Sequence, residues 1–123
     1  MNRDQVDSIA RAWIAMHSAP EDSAEYRANF WAFERIDELR EDDPEACWLV
    51  IDTVRRMDSS DSILSNLAAG PLEDLLVFHG AQFIERIEKI ASNDPQLRKL
   101  LAAIWQNEID DHVWERVKKV AGT

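Results

Sequence analysis

Apolar residues recur at three- and four-residue spacing along almost the whole chain, and that one pattern confines the fold to helices. Val6, Ile9, Ala10, Trp13 and His17 share a face over residues 3–17, and Ser18-Ala19-Pro20 ends that helix. Tyr26, Phe30, Phe33 and Ile36, followed by Leu39 and Arg40, predict a second helix over residues 22–41, with its core side on that aromatic arc. No stretch shows the strict alternation of a half-buried strand.

The helix starts carry their own marks. Asp43-Pro44 and Asp94-Pro95 each set a capping carboxylate before a proline whose fixed φ suits the first helical position. After Asp43 the stripe Cys47, Val50, Ile51, Val54 and Met57 predicts a third helix, and Ser60 caps a short one carrying Ile63, Leu64 and Leu67. Gly70-Pro71 reads as the end of that helix and the start of the next, which runs to His79 and stops at Gly80. Phe83, Ile84, Ile87 and Ile90 mark a sixth helix. Leu97, Leu100, Leu101 and Ile104 mark a seventh, and Val113, Val117 and Val120 an eighth. The expected fold is a single all-α domain over residues 1–123, with seven or eight short helices in an orthogonal or superhelical array. The two Asp-Pro openings, each leading into a Trp-containing segment, hint at stacked helical hairpins of the HEAT type.

Size and charge narrow the function. A chain of 123 residues holds one core, and its five Trp are expected to be mostly buried. The formal net charge of −10 disfavours nucleic acid and anionic membrane surfaces, where a basic patch is needed. The lone Cys47 allows no internal disulfide and fits a reducing compartment. With no signal-peptide pattern at the start and no apolar run long enough for a span, the chain reads as cytoplasmic.

Few residues suggest chemistry. Glu108, Asp110, Asp111, His112 and Glu115 are the densest potential ligand set, but Asp110 or Asp111 reads more simply as the cap of the last helix. Glu73 and Asp74 sit in a first helical turn, where negative charge is favourable. His17 falls on an apolar stripe, His79 at a helix end, and Cys47 mid-stripe as an inert thiol. Neither a phosphate loop nor zinc spacing occurs. No metal, cofactor or catalysis is expected.

The strongest surface feature is Trp31. It points away from the aromatic arc and is ringed by Arg27, Glu34, Arg35 and Glu38, as a hot-spot aromatic is ringed by polar groups. Beside it, Asp37, Glu38, Glu41, Asp42, Asp43 and Glu45 crowd nine residues, opposed only by Arg40. Residues 1–60 carry 14 acidic and seven basic side chains, against ten and seven in the remainder. The expectation is a non-catalytic interaction module that binds a basic protein through Trp31, Glu34, Glu38, Glu41, Asp42 and Asp43. Its size and charge resemble those of immunity proteins that neutralise a basic toxin. The alternative is a small-molecule sensor with an apolar pocket between helices. Trp48, Trp105 and Trp114 flank their stripes and suit either a core or a homodimer seam.

The segment Leu67-Ala68-Ala69-Gly70-Pro71-Leu72-Glu73-Asp74-Leu75-Leu76, then His79-Gly80, Phe83-Ile84-Glu85-Arg86 and Val113-Trp114-Glu115-Arg116, resembles a family of small bacterial proteins of unknown function. The resemblance is good over residues 63–117 and looser before them. It implies a bacterial, helical, intracellular protein, and supplies neither catalytic residues nor a ligand.

Overall fold

The computed structural model describes residues 1–122, and Thr123 lies outside the described residues. Eight α-helices follow one another: α1 (Arg3–Ser18), α2 (Ala24–Asn29), α3 (Trp31–Asp42), α4 (Pro44–Met57), α5 (Asp61–Leu67), α6 (Glu73–Ala91), α7 (Pro95–Ala102) and α8 (Asp111–Ala121). A π-turn, Ala68–Leu72, joins α5 to α6. The all-α expectation stands, and no strand occurs among the described residues.

The caps form where the sequence marks them. Asp43 accepts the Ala46 N–H and Asp94 the Leu97 N–H, with proline at the first helical position in both cases. Ser60 caps α5 through the Ile63 N–H, and Asp110 caps α8 through the His112 N–H at 2.9 Å. Asn2 and Gln5 make a reciprocal capping box on α1. The two Asp-Pro helices are otherwise unlike, at 14 and eight residues, so the shared start is a local device rather than a copied unit.

The core is one contiguous cluster drawing on α1 and on every helix from α3 to α8, with α4 at its centre. Eight residues of α4 are buried, including Trp48, Thr53 and Arg55, so this helix is enclosed on most sides. It packs on α1 and α3 in one direction and on α5, the π-turn and α6 in the other. Farther along, α8 lies against α6 and α7.

Two expectations are corrected. The second helix is two, because the Phe30 N–H (φ −61°, ψ −24°) turns to the Arg27 carbonyl three residues back, at 3.4 Å, and the chain restarts as α3. The break changes the phase of the stripe: Ala32, Ile36 and Leu39 are buried, while Phe33 is 41% exposed. Next, Gly70-Pro71 does not separate helices. Proline removes one N–H from the ladder, and the π-turn absorbs the missing bond without ending the helical path. The expected end of a helix at His79 is present as a break: His79 is non-helical (φ −137°, ψ 22°), so α6 is two helices that meet at a kink there. Gly80 is buried against α8, where a Cβ would lie 2.9 Å from Val113 Cγ1.

The five Trp also divide differently from expectation. Trp13 and Trp48 are buried and Trp114 packs half-buried on the core, whereas Trp31 and Trp105 are 44% and 75% exposed. Met57, expected on the α4 core stripe, is exposed.

Candidate interaction surface

Trp31 opens α3 and stands between two open hollows. One, of about 370 Å³, lies against the start of α1 and is lined by Met1, Asn2, Asp4, Gln5, Ser8 and Ile9 together with Trp31 and Arg35. The other, on the far side of the ring, is lined by Glu34, Arg35, Asp37 and Glu38. Arg35 is the one cationic side chain among these lining residues, and it leans toward Glu38 at 3.9 Å. The indole is therefore an apolar surface framed by net negative charge.

The other acidic residues have mixed duties. Glu41 stands 3.5 Å from Arg40, Asp42 is exposed at the end of α3, and Asp43 spends one oxygen on the α4 cap. Glu45 is taken by Arg86 in a two-pronged pair at 2.7 and 2.8 Å, whose hydrogen bonds hold its carboxyl below the ordinary value. Trp31, Glu34 and Glu38 thus share one face with Asp37, whereas Glu41, Asp42 and Asp43 lie at the far end of α3.

A second constellation, not foreseen from sequence, lies around Arg40. A cavity of about 110 Å³ opens between Trp13 of α1, Phe33, Ile36, Asp37 and Arg40 of α3, Gly70 and Pro71 of the π-turn, and Asp74 of α6. The Arg40 guanidinium lies 3.6 Å from Asp37, 3.5 Å from Glu41 and 3.5 Å from Asp74, and covers the Phe78 ring at 4.7 Å. Burial raises the Asp74 carboxyl above its ordinary value. Arg40 works against this, while Asp37 and Glu73 add to it. His79, at the kink, bonds the Arg40 carbonyl at 2.7 Å. A carbonyl only accepts, so Nε2 carries the proton.

Sequence reasoning reached Asp37 and Asp74 separately, as part of a charge run and as a helix-start residue. Nothing in one dimension brings α1, α3 and α6 together. The available signal was Gly70-Pro71 inside a helical path, a place where irregular backbone marks function more often than regular backbone does.

The remaining candidates occupy ordinary positions. No group of three or more His, Cys, Asp or Glu able to hold a metal occurs among the described residues. Asp111 accepts from Gln106 at 2.7 Å, and Asn107 donates to Glu73 at 3.0 Å. His17 packs on Trp13 with ring centres 4.2 Å apart, and burial lowers its pKa. No helix among the described residues is long and apolar enough to cross a membrane.

Fold and surface together define a small all-α domain whose α3 face sets an exposed indole among carboxylates. The chain belongs to a family of unknown function, DUF6869, whose profile matches residues 19–123. The match takes in Trp31, Arg40, Asp74 and His79, and reaches much farther toward the N-terminus than residue 63. No curated protein and no solved structure matches the chain.

Proposed function

We propose that this protein is a non-catalytic interaction module that binds a basic protein partner across Trp31 and the carboxylates of α3. The observation that carries the reading is the placement of Trp31, 44% exposed between two hollows whose charged side chains are Asp4, Glu34, Asp37 and Glu38 with Arg35. A rigid aromatic in a polar surround is the usual form of an energetic anchor. The net charge of −10 favours approach of a basic partner over long range. The buried, singly occurring Cys47 suits a reducing, cytoplasmic setting. An immunity-like role, in which the acidic face masks a basic toxin, is the form of this function that best fits the size and charge.

The test is affinity capture from the source cell at low and high salt, run in parallel with wild-type, Trp31→Ala and Trp105→Ala baits. Trp105 is the more exposed ring and serves as the control. The expected result is a basic protein held by wild type and by Trp105→Ala, released by salt, and lost from Trp31→Ala. Equal retention by all three baits overturns the reading.

A further inference from the structure

We infer that Arg40 is a two-position side chain linking the Trp31 face to α6: when a cation of the partner takes Asp37, the guanidinium passes wholly to Asp74. The inference deepens the interaction reading and rests on it for the cation that occupies Asp37.

Arg40 Nη1 stands 3.6 Å from Asp37 on its own helix and 3.5 Å from Asp74 on α6. It lies midway between two carboxylates and is committed to neither, since a committed charge-assisted bond is about 2.7–2.9 Å. The other donors are no better placed. Nη2 is 3.5 Å from Glu41, and the buried Nε has no partner. A buried donor left unpaired is costly, so an arrangement that supplies an acceptor competes with this one. A side-on pair with Asp74 through Nε and one Nη is such an arrangement.

Arg40 also has room to move. The cavity of about 110 Å³ lies against it and is lined by both Asp37 and Asp74, whereas a close-packed side chain has no such freedom. Burial raises the Asp74 carboxyl, and Arg40 at its present distance offsets this only in part. A closer guanidinium would offset more of it.

Asp37 connects the outer surface to the inner one, because it lines the hollow beside Trp31 as well as the cavity. A cation settling on Asp37 meets the like charge of Arg40 while the guanidinium stays midway, and escapes it once the guanidinium leaves for Asp74. That difference between the two states is what allows a ligand to shift their balance. The change arrives on α6. Phe78 lies one turn beyond Asp74, is 63% exposed, and has the same guanidinium 4.7 Å from its ring centre. His79 holds the Arg40 carbonyl at 2.7 Å, so the backbones of α3 and α6 stay joined while the side chain moves.

The experiment is a mutant cycle on the whole protein, read by urea unfolding. The coupling between Arg40→Met and Asp74→Asn is measured with Asp37 present and again in Asp37→Asn, which stands for an occupied Asp37. Transfer of the guanidinium raises that coupling, expressed as an equilibrium constant, about fivefold in Asp37→Asn. Glu41→Gln is the control, since Glu41 meets Nη2 rather than the shared Nη1, and it is expected to change the coupling by less than about twofold. Unchanged coupling in Asp37→Asn describes a fixed bridge and overturns the proposal. An equal rise in Glu41→Gln reports lowered net charge alone and overturns it too. Asp37 is half-exposed, so its variant keeps the test open if Arg40→Met or Asp74→Asn does not fold. NMR of Asp37→Asn then decides: the Arg40 Nε–H is expected to exchange with solvent about fivefold more slowly and the Phe78 ring signals to shift, and unaltered signals overturn the proposal. No partner enters these measurements, so their failure leaves the Trp31 reading standing. Failure of the capture experiment removes the cation and leaves the exchange of Arg40 between its acids.

Discussion

Arg55 Nη1 donates to Asp94 Oδ2 at 2.8 Å while the other Asp94 oxygen accepts the Leu97 N–H at 3.1 Å, so one carboxylate both neutralises a buried cation and starts α7. The Arg55 side chain is only 2% exposed and also pairs with Asp52 at 2.7 Å. Burial raises the Asp94 carboxyl, but the Leu97 N–H and Arg55 outweigh it and hold the group below its ordinary value. Asp94→Ala removes the cap and one of the two carboxylates paired with the buried guanidinium, leaving Asp52, with an expected loss of about 2–4 kcal/mol. Asp94→Asn keeps the cap and is expected to lose less. Urea unfolding of the two variants beside wild type checks both the size and the order.

Gly70 and Gly80 are expected to respond differently to alanine. At Gly70 a Cβ meets nothing within 4 Å beyond its chain neighbours. The gain from lost unfolded-state freedom is opposed there by the contact of a Cβ with the ring of Pro71, so Gly70→Ala is expected to be near neutral, within about 0.5 kcal/mol. At Gly80 the new methyl runs into Val113 at 2.9 and 3.0 Å, and that β-branched side chain has little room to turn. Gly80→Ala is expected to cost about 1–3 kcal/mol. Thermal melts decide it, with Val113→Ala added to Gly80→Ala as the rescue.

Two groups set opposite pH trends. The folded state raises the Asp74 carboxyl above its unfolded value, so ionised Asp74 costs stability at neutral pH, and that cost fades as pH falls through the raised value. Asp74→Asn is expected to melt slightly above wild type in neutral buffer and to lose the advantage in acid. Burial of His17 lowers its pKa, so the unfolded chain takes up a proton first and stability falls as pH drops below the ordinary histidine value. His17→Gln is expected to flatten that part of the profile. Melting temperatures across the acid range test both slopes.

The Cys47 thiol is buried in α4, and burial pushes it up to about 12. Almost none is thiolate at neutral pH, and the thiolate is the reactive form. A disulfide reagent such as Ellman's is expected to leave the folded protein unmodified and to label one thiol per chain in denaturant. Rapid labelling of the native protein would contradict this.

Local signals carried the fold a long way. Asp43, Ser60, Asp94 and Asp110 cap the helices that their types and positions announce, because a cap is decided within four residues. Phe30 and Gly70 were misread for the opposite reason. Nothing near Phe30 in sequence marks a break, since its backbone stays in the helical region. Gly80 is glycine for the sake of Val113, 33 positions away. Trp31 was legible because its helical neighbours are charged. The Arg40 cavity was not, since its walls come from α1, α3, the π-turn and α6.

The junction at Phe30 is a single residue wide, and this has a consequence for how the surface changes over time. In a helix each residue advances the wheel by about 100°. Whichever way the α2–α3 junction is phased, Ala32, Ile36 and Leu39 can hold α3 on the core. The chain leading into α3 then sets how Tyr26 and Phe30 stack beneath Phe33, at 5.9 and 5.2 Å between successive rings. Two relatives with the same α3 but one residue more or less before it would present different aromatic neighbours beside the same carboxylates. Binding preference is then adjustable by length at one point, with no substitution among the residues that do the binding and none in the core beneath them.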